Sequence, residues 1–511
     1  SFGCEIISTG GTGRVLTDAG LSVTDISTVT GNPEAFGGRM KTISFPIGAS
    51  LLFDRERDAV EAHNLGIDPI DLVVCTLYPF ERVWKQNTDF DTLIENIDIG
   101  GVTMIRAAAK NFRFVTVVTD TADYGAVLRE LTASGGSIGP DTRRNLMRKA
   151  FNHVAEYDSV IAVAMDEACG TRSMRMSFTA GEALRYGENA HQKAWLYRQT
   201  GSDPQPLNVE CLQGKELSFN NHIDIREAAA AVRALSQHGC AVVKHANICG
   251  LSEAGTQTKA LEYAWNGDPV SAFGSIIAFN EPLALETLKF LNLEHEDRSM
   301  RKFVEVIVAP SFQSDALEYL KNSKNLRAVE FPFDRRPHPM EYRFFDGILL
   351  AQECDTASMT ALETKTKRPL GRHVEGLVKF GINAVRRLKS NAIAIVRSCG
   401  GGYFQMLGMG SGRPNRISSV RLAVGKCREN LTTEAEKSGF PVERHIADEL
   451  GKAILVSDGF FPFPDVAEEC AAAGIRTIIQ PGGSLRDGEV IEACDRHDIA
   501  MAFSGIRHFK H

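Results

Sequence analysis

The sequence predicts an α/β protein with more than one domain, and three observations support that prediction. Short apolar runs alternate with helical patterns along most of the chain. A glycine-rich turn, Gly10 to Gly13, directly follows the first apolar run, as is common where a strand leads into a helix. The 511 residues, 43% of them hydrophobic and 24% charged, are too many for one hydrophobic core.

Composition argues against several classes of function. The formal charge of -7 comes without a basic block, so we expect no nucleic-acid partner. Eleven cysteines are scattered without a Cys-x-x-Cys pair, which predicts neither a disulfide framework nor a zinc site. No apolar run could span a bilayer and the first residues lack a signal-peptide pattern, so we expect a cytoplasmic protein without a membrane partner.

In the first third of the chain, strands alternate with helices and predict a parallel sheet. The predicted strands are Cys4–Ile7, Asp71–Leu77 and Phe114–Val118. Two helical stretches follow between Pro140 and Glu167, and the weakly periodic stretch from Ser177 to Gln192 is polar. We therefore predict a domain boundary near residue 177, with domains 1–177 and 178–511.

The rest of the chain predicts a second, larger α/β region. Asp224–Leu235 has a helical pattern, and no internal repeat is visible in the sequence. A Pro-rich and charged stretch from Asn322 to Thr366 predicts two lobes with a boundary near residue 350. The predicted strands are Ala241–Val243, Ser275–Ala278, Val304–Val308, Ala392–Val396, Ala453–Val456, Thr477–Ile479 and Ala500–Phe503.

The first candidate site is the turn from Ser8 to Gly13. Its glycines let backbone N–H groups approach an anion and its hydroxyls add donors, so it could hold a phosphate. Many turns of this kind bind nothing, and that alternative stays open. A dinucleotide fingerprint would need a third glycine where Leu16 stands, which argues against nicotinamide binding.

Other polar residues stand near predicted strand ends, where open α/β sheets bind ligands. They include Lys41, Tyr78 and Asp98, and each alone could equally be an ordinary surface or capping residue. If residues 99–110 form one straight helix, Asp98 and Lys110 would lie about 18 Å apart and could not share a proton directly.

The string Lys244-His245-Ala246-Asn247 directly follows the apolar run Ala241–Val243. Core packing explains such charged residues at a strand end poorly, whereas a lysine beside a histidine supplies a cation and a base near neutral pH. That pairing suits acyl transfer to a weak amine. Further on, the Phe/Pro run from Phe460 to Pro464 predicts a rigid apolar wall that would fit an aromatic heterocycle.

Taken in order, these motifs resemble the bifunctional AICAR transformylase/IMP cyclohydrolase family over the whole chain, from Ser1 to His511. The most specific segments are Leu184–Gln192, Lys244–Asn247, Asp268–Gly274, Lys389–Asn391, Ser457–Asp465, Gln480–Ser484 and Arg507–His511. The resemblance implies a methylglyoxal-synthase-like N-terminal domain followed by two cytidine-deaminase-like lobes without zinc. It also implies a homodimer whose substrates are a nucleotide and 10-formyltetrahydrofolate.

For the transformylase, the resemblance implies His245 as the general base and Lys244 as the group that stabilises charge on the formyl intermediate. Asn391 and Asp465 would orient the formyl group and the folate. The implied ribonucleotide-binding residues are Arg185, Tyr186, Asn221, Phe460 and Arg507.

For the cyclohydrolase, the resemblance implies Lys41 and Tyr78 at the formyl oxygen and Asp98 with Lys110 in proton transfer. The implied substrate-binding residues are Ser8, Thr9, Gly10, Gly11, Thr12 and Arg39.

Three departures from the family pattern bear mainly on the cyclohydrolase. The family's first strand and Ser-x-x-Asp-Lys-Thr-Gly loop lie before the point where this sequence starts, so we expect a fragment or an impaired activity. Ile43-Ser44-Phe45-Pro46 replaces a Leu-His-Pro segment, which removes a histidine, and Arg413 stands where glutamine is frequent.

Three alternatives to the two-activity enzyme remain open. The first is a monofunctional AICAR transformylase with an impaired cyclohydrolase domain. The second is a nucleotide-binding regulatory protein, and the third is a metal-dependent deaminase.

Overall fold

The computed structural model describes residues 2–86, 88–200, 207–359, 361–372 and 374–511. They divide into two compact units that meet in sequence between Ser177 and Phe178. In these ranges no helix is both long and apolar enough to cross a membrane.

The first unit is a mixed α/β structure with a small hydrophobic core. The core contains Ile47, Leu51, Ile105, Val117 and Val154. The strands are β1 (Ile7–Ser8), β2 (Thr24–Asp25), β3 (Leu72–Val74) and β4 (Thr116–Val118). The helices are α1 (Gly10–Asp18), α2 (Ile26–Thr30), α3 (Phe45–Leu52), α4 (Ala59–Asn64), α5 (Phe80–Lys85), α6 (Phe90–Glu95), α7 (Gly100–Lys110), α8 (Tyr124–Ser134) and α9 (Pro140–Ala168).

The strands of this unit pair in parallel, β1 with β2 and β3 with β4, as predicted. The prediction of two helical stretches between Pro140 and Glu167 is wrong. One continuous helix of 29 residues, α9, covers the segment. Pro140 occupies its first turn, where a missing N–H costs nothing, and no glycine or proline interrupts the helix after it.

The second unit is built on a larger sheet. Its strands are β5 (Phe178–Leu184), β6 (Ala194–Gln199), β7 (Glu210–Gln213), β8 (His238–Lys244), β9 (Asn247–Ala254), β10 (Ser275–Phe279), β11 (Val304–Ala309), β12 (Arg327–Glu330), β13 (Met340–Phe345), β14 (Ile348–Glu353), β15 (Glu363–Thr364), β16 (Ile393–Gly400), β17 (Tyr403–Gly410), β18 (Ile454–Ser457), β19 (Thr477–Gln480) and β20 (Ala500–Phe503). Its helices are α10 (Phe219–Arg233), α11 (Gln257–Trp265), α12 (Pro269–Ala272), α13 (Leu285–Leu288), α14 (Ser314–Leu320), α15 (Glu375–Arg386), α16 (Arg416–Ser438), α17 (Val442–Lys452), α18 (Asp465–Ala473) and α19 (Asp487–Arg496). All seven strands predicted for this region are present.

Twelve of these strands form one sheet in the order β15-β20-β19-β18-β16-β17-β9-β8-β10-β11-β12-β7. Its two halves repeat one topology, which was not visible in the sequence. In each half a hairpin (β8/β9 or β16/β17) pairs antiparallel with the next strand, two parallel pairings follow, and an earlier strand closes the edge antiparallel. The halves join where β9 pairs antiparallel with β17.

The core of the second unit is shared between the halves on one face of the sheet. There α10 and α15 pack side by side, and the Asn383 amide donates to the Ala231 carbonyl oxygen at 3.0 Å. On the other face each half has its own cluster, under α11 and α14 in the first half and under α16 to α19 in the second. Central strands are therefore buried on both faces, which explains their nearly continuous apolar runs.

Candidate active sites

The first candidate site of the second unit lies at the turn between β8 and β9. Lys244 ends β8, and its ammonium donates to the Phe273 carbonyl oxygen at 2.7 Å. His245 and Ala246 form the turn with φ angles of 54° and 58°. Left-handed conformations are uncommon for residues other than glycine and concentrate at functional sites.

Asp224 of α10 holds this turn. Its carboxylate accepts hydrogen bonds from the backbone N–H groups of Ala246, at 2.6 Å, and His245, at 3.2 Å. Burial raises the pKa of Asp224 even though those hydrogen bonds act in the opposite direction. The His245 side chain is exposed, so its imidazole is accessible to a substrate.

A second group of polar residues comes from the other half of the sheet. Asn391 precedes β16, and its amide donates to the Arg413 carbonyl oxygen at 2.9 Å. Its oxygen accepts from the Arg416 guanidinium, also at 2.9 Å. Arg416 starts α16 and forms a buried ion pair with Asp458, which follows β18. Arg413 contacts Asn391 through the Arg413 backbone carbonyl oxygen. An arginine instead of a glutamine side chain at position 413 therefore leaves this hydrogen bond in place.

The two groups meet at the centre of the sheet. Ser411 lies just after β17, and its hydroxyl is shared between two acceptors. These are the Asn247 side-chain oxygen at 2.9 Å and the Lys389 carbonyl oxygen at 3.0 Å. Asn247 starts β9 beside the Lys244 turn, and Lys389 precedes Asn391. The structure thus brings Lys244, His245 and Asn391 to one region.

The Phe/Pro segment and the C-terminus border the same region. A Cβ at Gly459 would overlap the ring of Phe509 and the Arg416 guanidinium, so both side chains lie tightly against this glycine. Phe460 follows and is partly exposed, and Asp465 starts α18. Exposed Arg507 lies over the Phe509 ring at 4.5 Å.

The remaining predicted nucleotide ligands lie near the start of the second unit. Arg185 lies 5.3 Å from the centre of the Tyr186 ring, which is a cation–π contact. Asn221 is buried in a capping box with Ser218 at the N-terminus of α10, and its amide donates to Glu305 at 3.2 Å. The Asn221 side chain is therefore engaged within the protein.

In the first unit, β1 leads directly into α1, as predicted for a phosphate-binding turn. Thr9 caps α1 in an extended conformation, and Gly10 has a φ of 43°. Lys41 approaches this turn: its ammonium lies 3.6 Å from the Cβ position of Gly10, and it pairs with Glu34 at 2.7 Å. Ser44, in place of the family histidine, caps α3 by accepting from the Ile47 N–H. The structure therefore places a cation beside the hydroxyl-rich turn.

Asp98 caps the other helix of this candidate site. Its carboxylate accepts from the Gly101 N–H at 2.7 Å, and its own N–H donates to the Tyr157 hydroxyl at 2.8 Å. Burial raises the pKa of Tyr157, and the charges of Asp98 and Tyr78 add to that effect. Burial together with Asp98 raises the pKa of Cys75 to about 11. Cys75 and Tyr157 therefore lie close to Asp98, and Tyr78 lies close to Tyr157.

One predicted residue of the first unit lies apart from this group. Lys110 ends α7 and is exposed, whereas Asp98 precedes the first turn of the same helix. About 15 Å of helix separates the first residue of α7 from Lys110. Arg39 is an exposed residue paired with Glu95. Across the described ranges, no cluster of His, Cys, Asp and Glu could hold a metal ion.

Sequence reasoning missed four residues that shape these sites. Asp224, Arg416 and Asp458 support the second-unit site, and Tyr157 contacts Asp98. Asp458 stands between a buried strand and the Phe/Pro run, and that position was a usable signal. Tyr157 lies in the middle of a long helix and carries no such signal.

Fold and sites together define a two-unit α/β enzyme with one candidate active site in each unit. Comparison with known sequences agrees with that class. Residues 1–103 match the MGS-like domain family, and residues 108–426 match the family described as AICARFT/IMPCHase bienzyme. The chain belongs to the AICARFT/IMPCHase bienzyme family. It is accordingly a bifunctional enzyme of purine biosynthesis, an AICAR formyltransferase and IMP cyclohydrolase.

Curated relatives cover the chain from end to end. A bifunctional purine biosynthesis protein PurH of Persephonella marina is 41% identical over an alignment of 524 positions, which covers 100% of this chain and 95% of the relative. The protein of the same name from Aquifex aeolicus is 40% identical over 100% of this chain and 96% of its own length. A solved structure titled "Crystal structure of ForH" is 34% identical over 34% of this chain and 88% of its own, with a TM-score of 0.30.

Proposed function

We propose that the two activities divide between the units, with ring closure in 1–177 and formyl transfer in 178–511. The observation that carries the second assignment is the meeting of the Lys244–His245 turn with Asn391 across the centre of the sheet. The formyl donor is 10-formyltetrahydrofolate. The repeated strand order supports two cytidine-deaminase-like lobes with a boundary near residue 350.

In formyl transfer, the 5-amino nitrogen of AICAR attacks the formyl carbon of the folate. His245 takes the proton that this nitrogen loses, and Lys244 stabilises the negative charge on the formyl oxygen. The carbon–nitrogen bond to the folate then breaks, and its nitrogen regains a proton to release tetrahydrofolate. The amine is a poor nucleophile, so proton removal and orientation supply most of the catalysis. Asn391 and Asp465 hold the formyl group and the folate.

The nucleotide binds beside this centre. Arg185, Tyr186 and Arg507 hold its ribose and phosphate, since a guanidinium fork matches phosphate oxygens in pairs. Phe460 covers the heterocycle. Asn221 contacts the carboxamide only after releasing its present partners, Ser218 and Glu305.

In ring closure, the carboxamide nitrogen of formyl-AICAR attacks the formyl carbon and water leaves. The turn formed by Ser8, Thr9, Gly10, Gly11 and Thr12 holds the phosphate, with Arg39 at the edge of the site. Lys41 and Tyr78 bind the formyl oxygen. Because Asp98 and Lys110 lie at opposite ends of α7, they serve different ends of the pocket rather than exchanging a proton.

Two absorbance assays test the proposal. One supplies AICAR with 10-formyltetrahydrofolate, and the other supplies formyl-AICAR alone. We expect tetrahydrofolate release in the first and IMP in both. Tetrahydrofolate release without IMP would support a monofunctional transformylase, and inactivity in both would favour a nucleotide-binding protein.

An Asp98→Asn variant assigns ring closure to the first unit. We expect IMP formation from formyl-AICAR to fall about 100-fold while formyl transfer keeps its rate, because removing one group that acts on the reacting atoms costs about 10²–10³-fold. Asp89→Asn is the matched control, since Asp89 also caps a helix of this unit and asparagine caps equally well. Equal rates in both variants would exclude Asp98 from the reaction.

We further propose that the protein is a cytoplasmic homodimer with small-molecule partners only. Support comes from the resemblance to the family. Sedimentation equilibrium of the full chain would establish the number of subunits.

A further inference from the structure

Asp458 is a buried charge for which the proposed mechanism has no role. It follows β18 directly, is 0% exposed, and uses both carboxylate oxygens. One oxygen accepts from the Arg416 guanidinium, and the other accepts from the Ser390 hydroxyl at 2.5 Å. Burial of a carboxylate costs free energy unless the group is paired and hydrogen-bonded. Arg416 and Ser390 provide that pairing for Asp458.

The pair with Arg416 determines how Asn391 presents its amide. A second nitrogen of the guanidinium donates to the Asn391 side-chain oxygen at 2.9 Å. The Asn391 amide nitrogen donates one hydrogen to the Arg413 carbonyl oxygen, also at 2.9 Å. An amide nitrogen carries two hydrogens, so one N–H of Asn391 remains available to a ligand. Arg416 thus fixes Asn391 as a donor.

Asp458 also attaches the C-terminal segment to the site. The His508 N–H donates to the Asp458 carbonyl oxygen at 3.0 Å. The Ser390 hydroxyl that donates to the Asp458 carboxylate accepts from the Lys510 N–H at 3.2 Å. Arg507 and Phe509 lie within this segment, and the contact through Ser390 connects the segment to the Asp458 carboxylate.

The first half of the sheet shows that the fold does not need a charged residue at the position of Asp458. In the first half of the sheet, Asn280 follows β10 as Asp458 follows β18. Asn280 accepts from the Gly239 N–H at 2.8 Å and donates to the Gln237 carbonyl oxygen at 2.8 Å. Gln257 starts α11 where Arg416 starts α16. Neutral residues therefore support the same topology.

We propose that Asp458 is a positioning residue for formyl transfer, which holds Asn391 through Arg416 and the C-terminal segment through Ser390. Asn391 then offers its free N–H to the formyl oxygen in a fixed direction. The inference rests on the proposed function and adds a residue to its site.

The test is the Asp458→Asn variant of the full chain. We expect kcat for formyl transfer to fall about 10- to 100-fold, since a small misplacement of a reacting group can cost about 100-fold. The rate of IMP formation from formyl-AICAR, which we assign to residues 1–177, should stay unchanged, and a urea denaturation midpoint of residues 178–511 close to that of the wild type shows that this unit is folded. Glu434→Gln is the matched control, because Glu434 also pairs with a buried arginine, Arg397, at 2.8 Å but away from the site. We expect it to keep the wild-type kcat.

A double-mutant cycle separates positioning from general support of the fold. If Asp458 acts in part through Asn391, the double variant Asp458→Asn/Asn391→Ala loses less formyl transfer than the product of the two single losses. If the two losses multiply, or if Asp458→Asn matches wild type, the inference is wrong.

Ser390→Ala is a second variant that keeps the buried ion pair. It should lower kcat about 3- to 10-fold, and its loss should not multiply with that of Arg507→Ala, because Ser390 holds the C-terminal segment that contains Arg507. This variant carries the test if Asp458→Asn does not fold. Multiplying losses here would also overturn the inference. If the wild-type protein does not transfer formyl groups, both the proposed function and this inference are wrong. If the wild type is active and the Asp458→Asn variant is equally active, only the inference is wrong.

Discussion

The two halves of the twelve-stranded sheet share a topology but differ at their hairpin turns. In the second half, Gly401 and Gly402 form the turn between β16 and β17 with φ angles of 63° and 82°. In the first half, His245 and Ala246 adopt the same left-handed conformation. Glycine adopts it at little cost, whereas other residues lose about 1–2 kcal/mol each. The strained turn is the one that carries the proposed general base.

The comparison teaches that the halves share a strand order, whereas the charged residues proposed for formyl transfer stand at only some of the repeated positions. At the proposed site these residues are Lys244, His245, Arg416 and Asp458. At the related positions, the turn of the second half has Gly401 and Gly402, and Gln257 and Asn280 of the first half bond backbone groups. Four predictions, from the largest expected effect to the smallest, test this contrast.

The largest effect is expected from His245→Ala. Loss of a general base lowers formyl transfer about 10²–10⁴-fold. His238→Ala is the matched control, since His238 starts the strand that Lys244 ends and pairs with Glu281 at 2.5 Å. Tetrahydrofolate release measures both variants. If His245→Ala leaves formyl transfer unchanged, His245 is not the general base. If both variants lose activity equally, the two ends of β8 do not differ in their contribution to catalysis.

The next effect tests a packing feature common to the halves. Gly250 in β9 and Gly408 in β17 each let the following helix lie against the strand. A Cβ at Gly408 would lie 2.7 Å from the Ala423 carbonyl oxygen, and one at Gly250 would overlap the Ala264 carbonyl oxygen still more. We expect Gly250→Ala and Gly408→Ala to lower the free energy of unfolding by about 1–3 kcal/mol, with the larger loss at 250.

Urea denaturation measures these losses. Gly425→Ala is the control, because Gly425 lies within α16 and nothing approaches its Cβ position. It should stabilise the protein by about 0.5–1 kcal/mol. Stable Gly250→Ala and Gly408→Ala variants would show that the helices can move away from the sheet.

Exchanging residues between the turns should change stability in opposite directions. Ala246→Gly relieves a left-handed alanine and should stabilise the protein by about 0.5–1 kcal/mol. Gly401→Ala introduces the same strain and brings a Cβ within 2.9 Å of the Tyr403 ring, so it should destabilise by at least about 1 kcal/mol. Denaturation midpoints of the two variants provide the measurement. Changes of the same sign would mean that the turns are not comparable.

The smallest effect is a pH dependence at Asp224. Burial raises its folded-state pKa above the unfolded value, so the folded state binds the proton more tightly. Its contribution to stability is therefore greatest below the ordinary aspartate pKa and falls as pH rises through the raised value. The difference in unfolding free energy between wild type and Asp224→Asn should shrink over that interval. A difference that grows with pH would contradict the raised pKa.

Seven of the twelve strands of the large sheet could be predicted because their interior residues are buried on both faces. The strands β9 and β17 were missed because polar and glycine residues, such as Gly250, Ser252 and Glu253, interrupt their apolar pattern. Ser252 and Glu253 are nevertheless buried, since the Ser252 hydroxyl donates to the Ala260 carbonyl oxygen and Glu253 accepts from the Ser236 N–H. Such compensation depends on tertiary contacts and leaves no periodic signal.

The candidate sites were predictable where charge follows an apolar strand, as at Lys244, and through the family resemblance elsewhere. The supporting residues were not. Asp224 lies on a helix 21 residues before His245 of the turn that it holds, and Arg416 joins Asn391 to Asp458 across 67 positions of sequence. Only the folded chain brings these partners together.

The order in which the sheet is built along the chain affects its synthesis on the ribosome. The first half is complete in sequence once β12 ends at Glu330, but β9 has no neighbour on its outer edge until β17 is made. The last bond around the site needs Lys510. At about 5–20 residues per second, synthesis from Glu330 to the end of β17 at Gly410 takes about 4–16 s, during which the nascent first half has an open strand edge. During that interval we expect chaperone binding to matter more than at any later time.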